Sequence, residues 1–275
     1  MKKINIILTA IVVLFLTGCH EEVISVDLST AEPRLVIDAS IDWVKGTAGN
    51  EQKIKLTTTT GYYEDEFPIV SGAEVTVTNS TNTVYYFIEV PNSGEYICTN
   101  FVPVIDETYT LTIHLDGETY TATETLVAVP SIEDKVEQND KGGMAGDEIE
   151  LTYYYKDNGF EYNYYLYCFN MKHVIYPQYE VENNEMNQGS LTQVFYSHED
   201  LEVSDDVTFK LYGISKRYYN YMVKLLLASG SEDGAMFPAT PAAVRGNIIN
   251  QTNSENFAYG YFRLSEVGIK NYTIE

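Results

Sequence analysis

The chain has 275 residues, 13% of them aromatic, and a formal net charge of -23 at pH 7. A surface this acidic repels phosphate backbones and anionic lipid headgroups, which argues against nucleic acid as a partner and against a basic membrane-binding patch. The length is enough for two domains of ordinary size.

The first eighteen residues have the pattern of a signal peptide. Lys2 and Lys3 precede an apolar run, Ile4 to Leu16, which is too short to span a bilayer stably. The small residues Thr17 and Gly18 lead directly into Cys19. This resembles the lipobox of bacterial lipoproteins, and it implies that residues 1–18 are removed and that lipid on Cys19 anchors the protein in a membrane. The alternative is an ordinary secretory signal with an incidental cysteine.

Two acids follow the cysteine closely. Removing the signal also removes two lysines, so the net charge becomes about -25 on roughly 257 residues. Glu21 and Glu22 resemble the acidic export signal behind the lipidated cysteine of Bacteroidota lipoproteins, which implies the outer membrane and the cell surface. The alternative is that they belong only to a solvated tether, residues 19–32.

Residues 33–130 predict an immunoglobulin-like β-sandwich. Leu35, Ile37, Ala39 and Ile41 alternate with polar residues, as in a half-buried strand. Six further runs of strand type follow within about ninety residues, a density typical of a sandwich: Lys53 to Thr59, Ala73 to Thr78, Thr83 to Glu89, Glu95 to Cys98, Thr108 to Leu115 and Glu118 to Leu126. The Asp116-Gly117 pair predicts a two-residue hairpin turn between the last two.

Residues 131–275 predict a second β-rich domain with one α-helix near 215–229. Pro130 marks the boundary, and the glycines between Asn139 and Asp147 indicate a loop. The predicted strands are Glu148 to Tyr155, Tyr162 to Lys172, Leu191 to Ser197, Val207 to Gly213 and Ala258 to Leu264. Ser215 can cap the helix, and its apolar face would pack on a sheet. Residues 231–245 are expected to form an irregular crossing loop.

No catalytic, metal or cofactor site is predicted. The four histidines, His20, His114, His173 and His198, lie far apart and lack zinc-site spacing. There is no glycine-rich phosphate loop and no nucleophile elbow. Three acid clusters could supply oxygen ligands to calcium, but none has the spacing of a known calcium loop and a solvated surface is favoured: Glu64-Asp65-Glu66, Asp205-Asp206 and Glu232-Asp233. The cluster His198-Glu199-Asp200 is interpreted as a solvated turn.

Tyrosines and cysteines leave alternatives open. Seventeen of the 24 tyrosines lie from Tyr153 onward, and they could build the sheets or present a binding surface. Cys98 and Cys168 occur in different halves of the chain. A disulfide between them is allowed in an oxidising compartment, but two buried thiols are favoured.

Several stretches in a fixed order resemble one family: Arg34 to Ile41, Val70 to Val77, Gly94 to Tyr96, Glu107 to Ile113, Asp116 to Ala122, Asn163 to Tyr165, Ile214 to Tyr219, Gly246 to Ile248 and Tyr259 to Phe262. The chain resembles the Bacteroidota lipoprotein family known as domain of unknown function 4249. The resemblance implies a non-catalytic accessory of a TonB-dependent outer-membrane transporter, with no catalytic residues. The alternatives are a structural or adhesive surface protein and a hydrolase of surface glycans or peptides.

Overall fold

The protein is mainly β. A computed structural model describes residues 32–61, 64, 66–172, 174–186, 188–230 and 243–275. These residues form fifteen strands and one helix, in the following order: β1 (Leu35–Val44), β2 (Gln52–Thr58), β3 (Glu74–Asn79), β4 (Val84–Glu89), β5 (Glu95–Cys98), β6 (Thr108–Leu115), β7 (Glu118–Thr125), β8 (Glu137–Gly142), β9 (Glu148–Lys156), β10 (Tyr164–Met171), β11 (Gln178–Asn183), β12 (Leu191–Ser197), β13 (Asp206–Ile214), α1 (Lys216–Ser229), β14 (Ile249–Asn250) and β15 (Tyr259–Thr273).

The first half is an immunoglobulin-like sandwich, as predicted. Twelve strands are hydrogen-bonded in the order β11-β10-β13-β15-β1-β2-β5-β4-β3-β6-β7-β14. Residues that point inward from β1, β2 and β5 share one core with those of β3, β6 and β7. Ile37, Val77 and Leu111, from three of these strands, are fully buried in it. Strands β1, β2 and β5 therefore face strands β3, β6 and β7 across that core.

The second half has a core on each face of its sheet. On one face, the three-stranded sheet β12-β9-β8 covers an aromatic core that includes Tyr153, Phe169 and Phe209. On the other face, α1 contributes Tyr218, Met222 and Leu226 to a smaller core. The predicted helix packed on a sheet is confirmed.

Strand β15 belongs to both halves. Its first part pairs in parallel with β1, and its second part pairs antiparallel with β13. Along the chain, Leu126 belongs to the sandwich core and Val129 to the aromatic core of the second half, so the change of core lies close to the predicted boundary at Pro130. Phe262 and Leu264, on β15, belong to the sandwich core again. Residues Pro33–Glu275 form one compact unit.

The local signals around α1 and the main hairpin are confirmed. The Ser215 hydroxyl accepts the Tyr218 N–H at 3.2 Å, and Gly230 ends the helix in the left-handed conformation with φ 75°. Asp116 and Gly117 both have positive φ, 49° and 80°, as a type I′ turn requires. In the part of the chain that the structure describes, no helix has the length and apolar character to cross a membrane.

Each predicted strand is present, but β8, β11, β14 and the second half of β15 are absent from the sequence predictions. Strand β8 occupies the segment interpreted as a loop, because pairing with β9 supports a polar edge strand that has no apolar alternation. Strand β15 continues beyond Leu264 because Ser265 and Glu266 are buried by neighbouring strands. Of the predicted crossing loop, residues 231–242 lie outside the described residues.

Replacing Gly260 with alanine should be strongly destabilising. Gly260 has φ +96°, and a Cβ there would lie 1.9 Å from the carbonyl oxygen of Ile37, its partner on β1. We expect a loss of at least about 3 kcal/mol in the free energy of unfolding, from backbone strain plus this overlap. Urea unfolding measures it, with Gly72→Ala as the control.

Gly72 also has positive φ, +83°, but nothing lies within 4 Å of its added Cβ. That variant should lose only about 1 kcal/mol, from the backbone conformation alone. Equal losses in the two variants would show that the approach of β1 to β15 is not what requires glycine.

Candidate functional site

A groove of about 1130 Å³ opens on the sheet face that carries α1. We call it the Arg263 groove. Its floor includes Ser40 of β1, Tyr212 of β13 and Arg263 of β15, one wall is the helix, and residues 176–180 form a rim. Ser40 and Arg263 are partners in the parallel register of β1 and β15. Side chains alternate between the two faces of a strand. Phe262 points into the sandwich core, so its neighbour Arg263 points to the opposite face of the sheet.

Arg263 is a buried cation at the base of the groove, with its side chain only 6% exposed. Its Nη2 lies 2.8 Å from Asp42 Oδ1 in an ion pair. The rings of Tyr212 and Tyr218 lie 4.9 and 5.4 Å from its guanidinium carbon. These cation–π contacts and the carboxylate together compensate the charge.

Two guanidinium nitrogens remain unpaired. Nε and Nη1 of Arg263 are closed from solvent and have no hydrogen-bond partner among the described residues. A buried donor without an acceptor costs about 1–3 kcal/mol. Burial by itself lowers the pKa of Arg263, but the attraction of Asp42, Tyr218 and Tyr212 outweighs it and raises the pKa above its usual value. The guanidinium therefore stays charged.

Carboxylates outnumber cations around the groove. The carboxylates of Asp38 and Asp42 line it, against Arg263 alone. Glu180 of the rim pairs with Tyr167, a residue of the other core, so its carboxyl points to the opposite face of the sheet. Asp38 is exposed and accepts the Ser40 hydroxyl at 3.0 Å. Glu180 accepts from Gln178 Nε2 at 2.9 Å, and burial raises the pKa of its carboxyl. Asp42 is matched by the arginine, so the Asp38 carboxyl has no cation of the lining beside it.

The remaining lining is apolar or aromatic. Met222 and Leu226 present buried side chains on the helix wall, while Leu225 is 38% exposed. At the rim, the exposed fractions of Tyr176 and Tyr179 are 79% and 38%. The groove thus combines an aliphatic wall with tyrosine rings and carboxylates.

Most tyrosines of the second half build the cores. Ten of the seventeen are buried: Tyr153, Tyr154, Tyr155, Tyr164, Tyr165, Tyr167, Tyr196, Tyr212, Tyr218 and Tyr261. The Tyr155 and Tyr167 hydroxyls are hydrogen-bonded at 2.8 Å, and burial raises the pKa of Tyr155 to about 12. The scaffold interpretation holds for these ten, and Tyr176 and Tyr179 leave exposed rings at the groove.

Asp157 organises two loops, one between β9 and β10 and the other between β11 and β12. It is 3% exposed, and its carboxylate accepts five hydrogen bonds, from the Tyr165 hydroxyl at 2.5 Å, Asn163 Nδ2 at 3.0 Å, Asn184 Nδ2 at 2.8 Å, Gly159 N at 2.9 Å and Gly189 N at 3.0 Å. Burial raises its pKa, but the hydrogen bonds, above all that of Tyr165, outweigh burial and lower the pKa to about 2.

The predicted functional residues Cys19, Glu21 and Glu22 lie outside the described residues, as do Asp65, His173 and the Glu232-Asp233 pair. No described group of three or more acids, histidines or cysteines is placed to hold a metal. Carboxylate oxygens of Asp205 and Asp206 accept hydrogen bonds from the Glu202 N–H and the Thr273 hydroxyl.

Two other sequence interpretations can be located. His198 and Asp200 lie in a turn after β12, where the Asp200 N–H donates to His198 Nδ1. Cys98 and Cys168 are buried free thiols, as favoured by the sequence.

The Arg263 groove is absent from the sequence predictions. Its residues come from five strands and a helix, and no short motif joins them. One signal was available, because Arg263 interrupts the run Tyr259 to Leu264 at a position that a central strand fills with an apolar residue. A charged residue there indicates a buried partner or a site.

The fold defines a mainly β protein with an immunoglobulin-like sandwich and a groove beneath its single described helix. The chain belongs to the family described as Domain of unknown function (DUF4249), whose model matches residues 21–271. A search of curated proteins finds no match.

Solved structures similar to the chain include a segment of two fibronectin type-III domains from chicken tenascin. It is 13% identical, with a TM-score of 0.22, and the match covers 66% of this chain and 90% of the segment. A DUF4785 family protein from Legionella pneumophila is 6% identical, with a TM-score of 0.25, and the match covers 65% of this chain and 52% of that protein.

Proposed function

We propose that the protein is a lipid-anchored, surface-exposed outer-membrane lipoprotein that binds a ligand without chemical change and assists a TonB-dependent transporter. The observation that carries the binding role is the Arg263 groove, a concave site of about 1130 Å³ lined by aromatic, aliphatic and carboxylate side chains. The anchor rests on the lipobox pattern that ends at Cys19.

Acidity supports the arrangement at a membrane surface. A protein with a net charge of -23 is repelled by anionic headgroups, so a lipid anchor holds it at the membrane while its domains stay in water. A tethered binding protein also raises the local ligand concentration beside a neighbouring transporter.

Affinity purification from membranes tests the partner. A tag at Glu275, which follows β15 and is exposed, should recover a TonB-dependent transporter from cells lysed in mild detergent. A matched tagged lipoprotein of another family serves as the control. Recovery of no transporter, or equal recovery with the control, would contradict the accessory role.

A further inference from the structure

We propose that a second pocket, on another side of α1, binds a phosphate monoester group. This basic pocket measures about 470 Å³ and lies between the helix and residues 245–247. It shares no lining residue with the Arg263 groove, so the inference goes beyond the proposed function. Its lining, among the described residues, holds no carboxylate and four cations: Lys216, Arg217, Lys224 and Arg245. The local charge is therefore opposite in sign to the net charge of -23 of the whole chain.

One stripe of α1 points into the basic pocket. Arg217, Tyr221 and Lys224 are three or four residues apart in turn, so their side chains lie on the same side of the helix. The ring of Tyr221 lies 4.8 Å from that of Tyr261, which lines the pocket from β15. Arg217 Nη2 lies 3.2 Å from the carboxylate of Glu124, on β7. These two contacts fix the direction of the stripe, and Lys224 follows it.

Two of the four cations have no carboxylate partner. Arg217 is compensated by the buried carboxylate beside it, and Lys216 is turned towards Glu185, with its Nζ 3.8 Å from the carboxylate. Lys224 and Arg245 are exposed, and neither forms an ion pair with any described residue. The pocket thus holds two positive charges that the fold leaves for solvent or for a ligand.

A fifth cation lies next to Arg245. The guanidinium carbons of Arg34 and Arg245 lie 4.0 and 3.6 Å from the centroid of one ring, that of Phe257. The two like charges are therefore held within about 8 Å of each other. Arg34 Nη1 donates to the carbonyl oxygen of Glu255 at 3.1 Å, which is a neutral acceptor. The ring stabilises both guanidinium groups, but it does not neutralise their charge, and a bound anion would.

A phosphate monoester matches the unpaired charge. It carries about -1.5 to -2 charges at pH 7 and three strong acceptor oxygens, whereas a carboxylate supplies one charge and a neutral sugar none. The guanidinium of Arg245 can bind two phosphate oxygens at once, and the ammonium of Lys224 adds a compact charge. The volume of about 470 Å³ falls within the usual range of small-molecule sites. A soluble phosphorylated molecule and a lipid headgroup offer the same group.

Calorimetric titration of the full chain in non-ionic detergent tests the assignment and separates the two sources. Glucose 6-phosphate is compared with glucose, and dihexanoyl phosphatidic acid with dihexanoyl phosphatidylcholine. We expect a phosphate monoester to bind at least about tenfold more tightly than its neutral counterpart. A preference within the sugar pair assigns a soluble ligand, and a preference within the lipid pair alone assigns a headgroup. No preference in either pair would overturn the proposal.

Matched variants locate the site. Lys224→Gln combined with Arg245→Gln should weaken binding of the preferred phosphate probe at least about tenfold. The control combines Lys55→Gln with Lys141→Gln, which removes the same two charges from exposed positions on β2 and β8, outside the pocket. It should leave the affinity within about twofold, and circular dichroism should show both double variants folded.

An equal loss of affinity in the two double variants would show that the overall charge governs binding, and it would overturn the basic pocket as the site. None of these titrations depends on recovery of a transporter from membranes. The phosphate site can therefore fail while the proposed function stands, and the reverse also holds.

Discussion

A Cys19→Ala variant is expected to incorporate no fatty acid. In the proposed precursor the Cys19 thiol, directly behind Thr17 and Gly18, is the atom that takes the diacylglyceryl group, and alanine has no nucleophile there. Labelling of growing cells with an alkyne analogue of palmitate, followed by purification of the tagged chain, measures the modification. The expected change is complete loss of label, and the wild-type chain should be released from membranes only by detergent.

The other two cysteines supply the control. Cys98 and Cys168 are buried in the fold, and burial raises the pKa of both thiols, which makes them poor nucleophiles. Cys98→Ala and Cys168→Ala should each keep the full label. Label that survives in Cys19→Ala would contradict the lipoprotein assignment, and with it the proposed location.

Replacing Asp157 with asparagine is expected to lower the free energy of unfolding by about 2–4 kcal/mol at pH 7. The carboxylate accepts five hydrogen bonds in a site that is 3% exposed. An asparagine amide would turn an NH₂ group towards some of these donors and leave them unpaired. Urea unfolding at pH 7 measures the loss, and Asp134→Asn, at a fully exposed site beside Lys270, should change stability by less than about 1 kcal/mol.

The effect should depend on pH in a definite direction. The pKa of Asp157 in the folded protein is about 2, below the value of about 3.9 for an unfolded chain. Its contribution is therefore fully present above about pH 5 and is lost as pH falls towards 2. The difference between wild type and Asp157→Asn should shrink over that interval. A difference that stayed constant down to pH 2 would show that ionisation of Asp157 does not contribute.

Much of the secondary structure can be predicted because its causes are local. The alternation from Leu35 to Ile41 gives the inward face of β1, and the Asp116-Gly117 pair sets the hairpin turn. Ser215 and Gly230 mark the ends of α1 for the same reason. The edge strand β8 cannot be predicted from local sequence, because its backbone pairing with β9 stabilises residues that have no β pattern of their own.

The sequence by itself determined the family, the mainly β fold class, the single described helix and the acidic character of the chain. It also carries the pattern from which we propose a lipid anchor at Cys19. These follow from neighbouring residues, whose periodicity, turn chemistry and charge act over a few positions.

Only the tertiary structure decided that β15 runs beside β1 and links the two halves, and that Arg263 lies beneath Tyr212 and Tyr218 against Asp42. Arg263 is 221 residues from Asp42, and nothing in either segment specifies the other. Their meeting depends on strand order and on the parallel register of β1 and β15, which arise from packing of the whole chain. The Arg263 groove is therefore a product of topology, whereas the proposed anchor rests on the local sequence alone.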